Sequence, residues 1–230
     1  WLIENVPDYK NSINIVKINI EGAEWLFFND LIDNNSCEIY NDTSGSYGSN
    51  QSFAFDKVDD HINTNTNYTK FDGTSEITLN FWVKVINNGL NGYICSVLGG
   101  NFFSFGFSLN NGNVFYCRID NASNRARSWG IFDNTIKGDG LWHNITGTLD
   151  LNQSSEFQAY LDTEPVTNMN GFYQLTSLPS STSPLYIGTR DNTNTFNFGG
   201  EIGPLQLYNR VLSTQEIKQN YNALKGRFGL

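Results

Sequence analysis

Three carboxylates crowd one short stretch of the chain. Asp56, Asp59 and Asp60 lie together at the end of the alternating run Phe53-Ala54-Phe55-Asp56. A hard cation such as calcium collects six or more oxygens from carboxylates, carbonyls and water, so the trio supplies part of such a shell. The same residues have a second use, because Asp59 and Asp60 can cap a turn by accepting backbone N–H groups. The stretch Arg125-Ala126-Arg127-Ser128-Trp129 sets two guanidiniums beside an indole. It reads either as a ligand-gripping loop or as solvated arginines leading into a strand at Trp129. Arg190 and Asp191 belong to another polar loop, Thr189 to Phe198. Acid–base chemistry is harder to assemble. Glycoside hydrolysis needs two carboxylates opposed across a cleft, and Glu76, Glu156, Glu164, Glu201 and Glu216 stand apart in sequence. His61 and His143 have no Ser or Cys nearby in a nucleophile-elbow setting. The chain therefore reads as non-enzymatic.

The elements that must hold these groups are strands. Ile77, Leu79, Phe81, Val83 and Val85 alternate with Thr78, Asn80, Trp82 and Lys84, which predicts a long strand with one buried face. Phe103 to Leu109 and Val114 to Ile119 form a hairpin through Asn110-Asn111-Gly112-Asn113. Trp142 to Asp150 and Glu156 to Asp162 form another, and Tyr93 to Leu98 and Leu185 to Gly188 add further strands. Met169 to Leu178 has no clear period.

Near the end, Leu205 and Leu207 alternate with Gln206, and Pro204 belongs at an edge or at the strand start. Ser213 and Glu216 then make a capping box, and Ile217, Tyr221 and Leu224 form one helical stripe. Gly226 is placed as a left-handed stop. About a dozen short strands and a single helix describe a sandwich or barrel.

The closing run Leu207-Tyr208-Asn209-Arg210-Val211-Leu212-Ser213, with Glu216-Ile217, resembles the end of laminin-G-like, concanavalin A-like jelly-roll domains. Phe55-Asp56-Lys57-Val58-Asp59-Asp60-His61-Ile62 resembles an early strand of that family, with Lys57 where glycine is usual. Leu141-Trp142-His143-Asn144-Ile145-Thr146 resembles a mid-domain strand, and Asn80 to Lys84 and Tyr186-Ile187-Gly188 match others. The motifs keep family order over about residues 22 to 226.

The resemblance implies an all-β, antiparallel two-sheet jelly-roll sandwich with one short C-terminal helix. It implies a structural calcium ion at Asp56, Asp59 and Asp60, completed by backbone oxygens near Gly200 and Glu201. It also implies sugar binding, in which aromatic rings meet C–H faces and amides or carboxylates meet hydroxyls. On this reading Trp129, Arg127, Arg190 and Asp191 form the ligand surface. Residues 219–229 further resemble the ends of such domains in tailed-phage structural proteins. Two readings stand. One is a lectin-like module on a phage tail or virion surface that contacts cell-surface glycans. The other is a capsid-decoration or tail protein that uses the sandwich as a scaffold for other virion proteins, without a sugar ligand.

Composition narrows the partners. With 14 Lys+Arg against 23 Asp+Glu the net charge is −9, which disfavours nucleic acid and anionic membrane. No apolar run is long enough to span a bilayer. The three cysteines, Cys37, Cys95 and Cys117, read as core thiols, with a Cys95–Cys117 bridge left open. Residues 1–21 read as an N-terminal arm with a bulged strand, and 22–230 as the jelly-roll domain. The chain begins at Trp1 without a methionine, which suggests part of a longer protein or assembly.

Overall fold

The computed structural model describes residues 38–40, 52–64, 67–85, 92–99, 102–110, 113–121, 123–132, 136, 138–152, 156–191, 193 and 196–230. The arm over 1–21, the strand expected over Ala23 to Phe28, and Cys37 lie outside these residues.

Among the described residues, fourteen strands form two antiparallel sheets. They are β1 (Glu38–Tyr40), β2 (Phe53–Asp56), β3 (His61–Asn63), β4 (Glu76–Val85), β5 (Gly92–Gly99), β6 (Phe102–Asn110) and β7 (Val114–Asp120). The second half gives β8 (Arg125–Ile131), β9 (His143–Asp150), β10 (Glu156–Leu161), β11 (Glu164–Pro165), β12 (Asn168–Tyr173), β13 (Tyr186–Ile187) and β14 (Gly199–Tyr208). One sheet has eight strands in the order β1-β3-β13-β5-β6-β7-β8-β12. The other has six, β11-β10-β9-β4-β14-β2. Helix α1 (Thr214–Leu224) and a 3₁₀ turn (Lys225–Phe228) follow. This is the expected two-sheet sandwich with a C-terminal helix. No described helix is long and apolar enough to cross a membrane.

The core lies between the sheets and is aromatic. The Phe115 ring meets Phe81 at 5.7 Å, Phe107 at 5.9 Å and Phe157 at 5.8 Å, which joins four strands of both sheets through one side chain. A Cβ on Gly147 would lie 2.4 Å from Phe115, so glycine makes room for that hub. Cys95 and Cys117 are free and buried, and Phe107 separates them in the strand register. The reading as core thiols holds and the bridge is not formed.

Three local expectations change. Trp82, Thr78 and Asn80 were placed on the open face of β4, yet all three are fully buried. The 3₁₀ turn and α1 cover that face, with Trp82 stacked on Phe228 at 4.4 Å and on Tyr221 at 5.3 Å. Pro204 lies inside β14 rather than at its start, past the end of β2, where β14 is locally the outer strand of the sheet. It is tolerated because pairing with β2 ends at Ile202 and the register with β4 shifts between Ile202 and Leu205, which is a bulge. Gly226 lies within the 3₁₀ turn, and the left-handed residue that caps that turn is Gly229, at φ 77°. The capping box is as expected: Glu216 N–H donates to Ser213 Oγ, and Ser213 N–H donates to the Glu216 carboxylate.

Candidate functional site

Alternation along β7 sets out a surface. Phe115, Cys117 and Ile119 face the core, so Tyr116, Arg118 and Asp120 face outward. On β8 the small residues Ala126, Ser128 and Gly130 are buried, and Arg127 and Trp129 face outward. Antiparallel register then places Tyr116 opposite Trp129 and Arg118 opposite Arg127. The Tyr116 and Trp129 rings stack at 6.0 Å with planes 18° apart. Arg118 grips Asp120 Oδ2 through Nε at 2.7 Å and Nη2 at 2.6 Å. Arg127 Nη2 stays 3.7 Å from the same oxygen. The guanidiniums also lie beside two phenols, Arg118 beside that of Tyr93 and Arg127 beside that of Tyr116. Burial raises both phenol pKa values, and the neighbouring guanidiniums only partly oppose it.

The surface continues across the sheet. Tyr93 on β5 meets the Phe196 ring edge-on at 6.3 Å. Arg190 lies over Phe196 at 4.7 Å and pairs with Asp191 at 2.8 Å. Burial alone would raise the Asp191 carboxyl. Hydrogen bonds from the Thr193 hydroxyl and N–H, together with Arg190, hold it below its ordinary value instead.

The structure thus brings Arg127 and Trp129 together, and places Arg190 and Asp191 on the same face near β13. Four strand steps separate β13 from β8, roughly 19 Å at ordinary spacing. Tyr93, Tyr116 and Arg118 bridge that gap and were not singled out from sequence. The signal that could have found them is the clean alternation of Val114 to Asp120. One reading is corrected: residues 125–131 are a strand paired on both sides rather than a loop, so Trp129 sits within it and does not start it.

The aspartate cluster occupies the turn between β2 and β3. One carboxylate oxygen from each of Asp56, Asp59 and Asp60 lies within 4.8 Å of the others. Asp60 Oδ2 accepts from Asp56 N–H at 2.9 Å, and Asp56 Oδ1 accepts from Val58 N–H at 2.7 Å. Turn capping therefore falls to Asp56 and Asp60, and Asp59 Oδ1 is buried without a partner. A carboxylate has about four lone-pair sites, so capping leaves room for a cation. The orphaned oxygen and the hard-oxygen donor set fit calcium. Glu201 turns elsewhere, accepting from Ser52 at 2.7 Å and pairing with Lys84 at 3.4 Å. Lys57 takes φ 73°, which explains why glycine suits that position. Asn197 donates to Val58 O and accepts from Thr189 Oγ1, tying this turn to the loop that carries Arg190 and Asp191.

His143 is clamped between Asp162 on Nδ1 at 2.7 Å and Asp139 on Nε2 at 2.9 Å. Burial lowers its pKa, but the two carboxylates win and the net shift is upward. Both ring nitrogens are engaged, so the ring ties the start of β9 to the turn after β10.

A family model, the concanavalin A-like lectin/glucanases superfamily, matches residues 56–218. The chain belongs to that superfamily. The superfamily spans lectins and glucanases, so membership alone does not decide activity. No curated protein matches this sequence. Among solved structures, the receptor-binding domain of a botulinum neurotoxin C/D mosaic serotype aligns with a TM-score of 0.60 at 14% identity, over 81% of this chain and 46% of that one. The binding domain of Paraclostridial Mosquitocidal Protein 1 aligns with a TM-score of 0.59 at 16% identity, over 93% and 50%. This chain spans about half the length of those two domains. The carbohydrate-binding module CBM40 of a Ruminococcus gnavus sialidase, solved with α2,3-sialyllactose, aligns with a TM-score of 0.55 at 13% identity, over 74% and 96%. At these identities the likeness is one of fold. All three neighbours are binding domains.

Proposed function

We propose that this chain is a non-enzymatic, lectin-like module that binds glycans on the outer face of its eight-stranded sheet. The observation that carries the reading is the stacked Tyr116–Trp129 pair beside Arg127, half-buried and in rigid cross-strand register. A sugar ring needs an apolar platform for its C–H face and fixed donors for its hydroxyls, and strands hold both with little ordering cost. Arg190 and Asp191 extend the contact for a longer glycan. Botulinum neurotoxin type C, whose cell entry is dependent upon interaction with two ganglioside molecules, and the sialyllactose-bound CBM40 support a glycan partner. The setting is an extracellular or virion surface, and the virion part rests on the resemblance of residues 219–229.

Calcium is the proposed structural ion at Asp56, Asp59 and Asp60. There it would order the turn that Asn197 links to the Arg190 loop. Its test is thermal melting with calcium and with EGTA: an ion present at 100 times its Kd raises stability by about 2.7 kcal/mol. An unchanged melting curve removes the ion.

The function itself is tested on a broad glycan array, with and without chelation. Reproducible signal that disappears in Trp129→Ala supports the module. Silence across the array favours the other reading, a virion protein that uses the sandwich as a protein-binding scaffold, for which residues 219–229 speak.

A further inference from the structure

We infer that the glycan taken by this face carries a carboxylate, and that Arg127 is the group that meets it. The inference rests on the binding reading above and names the ligand class for the same surface. Its first support is the register. Arg118 and Arg127 stand directly opposite each other on β7 and β8. Like charges in that relation repel and weaken a strand pair unless an anion lies between them. The protein provides Asp120, but Asp120 is engaged closely with Arg118, and Arg127 is left 3.7 Å from it, outside hydrogen-bond range. The second support is the state of Arg127 itself. Its Nε is buried with no acceptor, its side chain keeps 25% of its exposure, and the Tyr116 phenol it contacts is uncharged. Among the described residues, the guanidinium's ion pair with Asp120 spans 3.7 Å, so no carboxylate there hydrogen-bonds the charge it brings to the stacked rings.

The third support is contrast with the rest of the molecule. The chain carries −9 overall, yet this face gathers Arg118, Arg127 and Arg190 against Asp120 and Asp191. A surface built for solubility would follow the net charge; this one opposes it locally. A planar carboxylate fits a guanidinium fork with two parallel hydrogen bonds, which a neutral hydroxyl does not. The apolar half of the same sugar would lie on Trp129. Terminal sialic acids and uronic acids both present this chemistry, and the experiment separates them.

The test measures binding by calorimetry to sialyllactose, oligogalacturonate and neutral lactose, with the wild-type chain and with Arg127→Gln, Arg127→Lys and Trp129→Ala. The expected result is at least about tenfold tighter binding of one acidic probe than of lactose, the order expected for a hydrogen bond to a charged group. Whichever acidic probe binds identifies the source of the carboxylate. Arg127→Gln should abolish that preference, and Arg127→Lys should restore it in part. In the wild type, the acidic affinity should fall between low and high salt while any neutral affinity holds. That salt arm stands even if the Arg127 variants fail to fold. Binding of lactose equal to both acidic probes, sensitive to Trp129→Ala, overturns the carboxylate and leaves the glycan platform. Binding of none of the probes, together with a silent array, overturns both.

Discussion

Trp82 on β4 and Trp129 on β8 both point away from the space between the sheets, and both stack on aromatic neighbours. Trp82 is fully buried between Phe228 and Tyr221. Trp129 is half-buried and, among the described residues, stacks on Tyr116. The difference is the covering layer: among the described residues, the helix and the 3₁₀ turn lie on the six-stranded sheet and no helix lies on the other. Under that cover, polar groups satisfy one another. Asn80 Nδ2 donates to Thr146 Oγ1 at 2.6 Å and to Asn144 Oδ1 at 3.1 Å, and Asn144 Nδ2 donates to Phe81 O at 3.2 Å. Each face also holds an unpartnered N–H, Trp82 Nε1 on one and Arg127 Nε on the other. The first is sealed beneath the helix, where it is a cost of packing. The second belongs to a guanidinium that still reaches solvent. The same residue types serve stability where they are covered and, on the proposed reading, recognition where they are not.

The largest effect that would test this contrast is on the covered side. Trp82→Ala should cost about 3–5 kcal/mol, the range for removing a buried aromatic, and should free the C-terminal turn. Urea denaturation followed by Tyr and Trp fluorescence measures it. A loss below about 1 kcal/mol would mean that the helix does not depend on the indole, and the comparison would fail on its stronger side.

A smaller effect should come from the helix start. Glu216 closes the capping box and takes a two-pronged contact from Arg210, at 2.8 and 3.1 Å. Those bonds, Arg210 first, hold its pKa at about 2. A carboxyl held below its ordinary value stabilises the fold fully above that value, here 4.5, and loses its contribution as pH falls through about 2. Glu216→Gln should therefore cost about 1 kcal/mol at neutral pH and flatten the acid limb of the stability curve between pH 4.5 and 2. An acid limb identical to wild type would show that the cover is anchored elsewhere.

Much of this contrast was legible in the chain, and the missing part has a physical cause. Alternation gave β4, the β6–β7 hairpin and the β9–β10 hairpin, because each strand has one face in the core. The capping box gave the start of α1, because Ser213 and Glu216 act within one turn. What alternation could not give is which outward face is covered. Trp82 alternates with Phe81 just as Trp129 alternates with Ser128, and only the path of residues 214–228 makes one of them internal. Arg125 to Trp129 looked like a loop because its outward residues are long and charged, whereas Ala126, Ser128 and Gly130 are too small to mark a buried face. Pro204 finds its edge inside β14, because pairing with β2 stops at Ile202, and how far a neighbouring strand extends is not written in the local sequence. The proposed ligand surface was half legible for the same kind of reason. Arg127 and Trp129 stand out in sequence, but Tyr93, Tyr116 and Arg118 join them only through register across four strands.

The smallest stability effect should come from the open side. Trp129→Ala removes one partner of a stacked pair and a half-buried side chain, where Trp82→Ala removes a fully buried one, so the fold should lose only about 1 kcal/mol. The same change should weaken glycan binding by at least about tenfold if the indole is the platform, since a stacking aromatic concentrates contact energy at the centre of a site. Measured side by side, the two tryptophan variants separate the roles of the faces: Trp82→Ala moves the denaturation midpoint, and Trp129→Ala moves the binding isotherm. A large midpoint shift in Trp129→Ala would show that its ring stabilises the sheet instead of waiting for a ligand. The open face would then be structural, as the covered one is, and Arg127 would need a partner from within the chain.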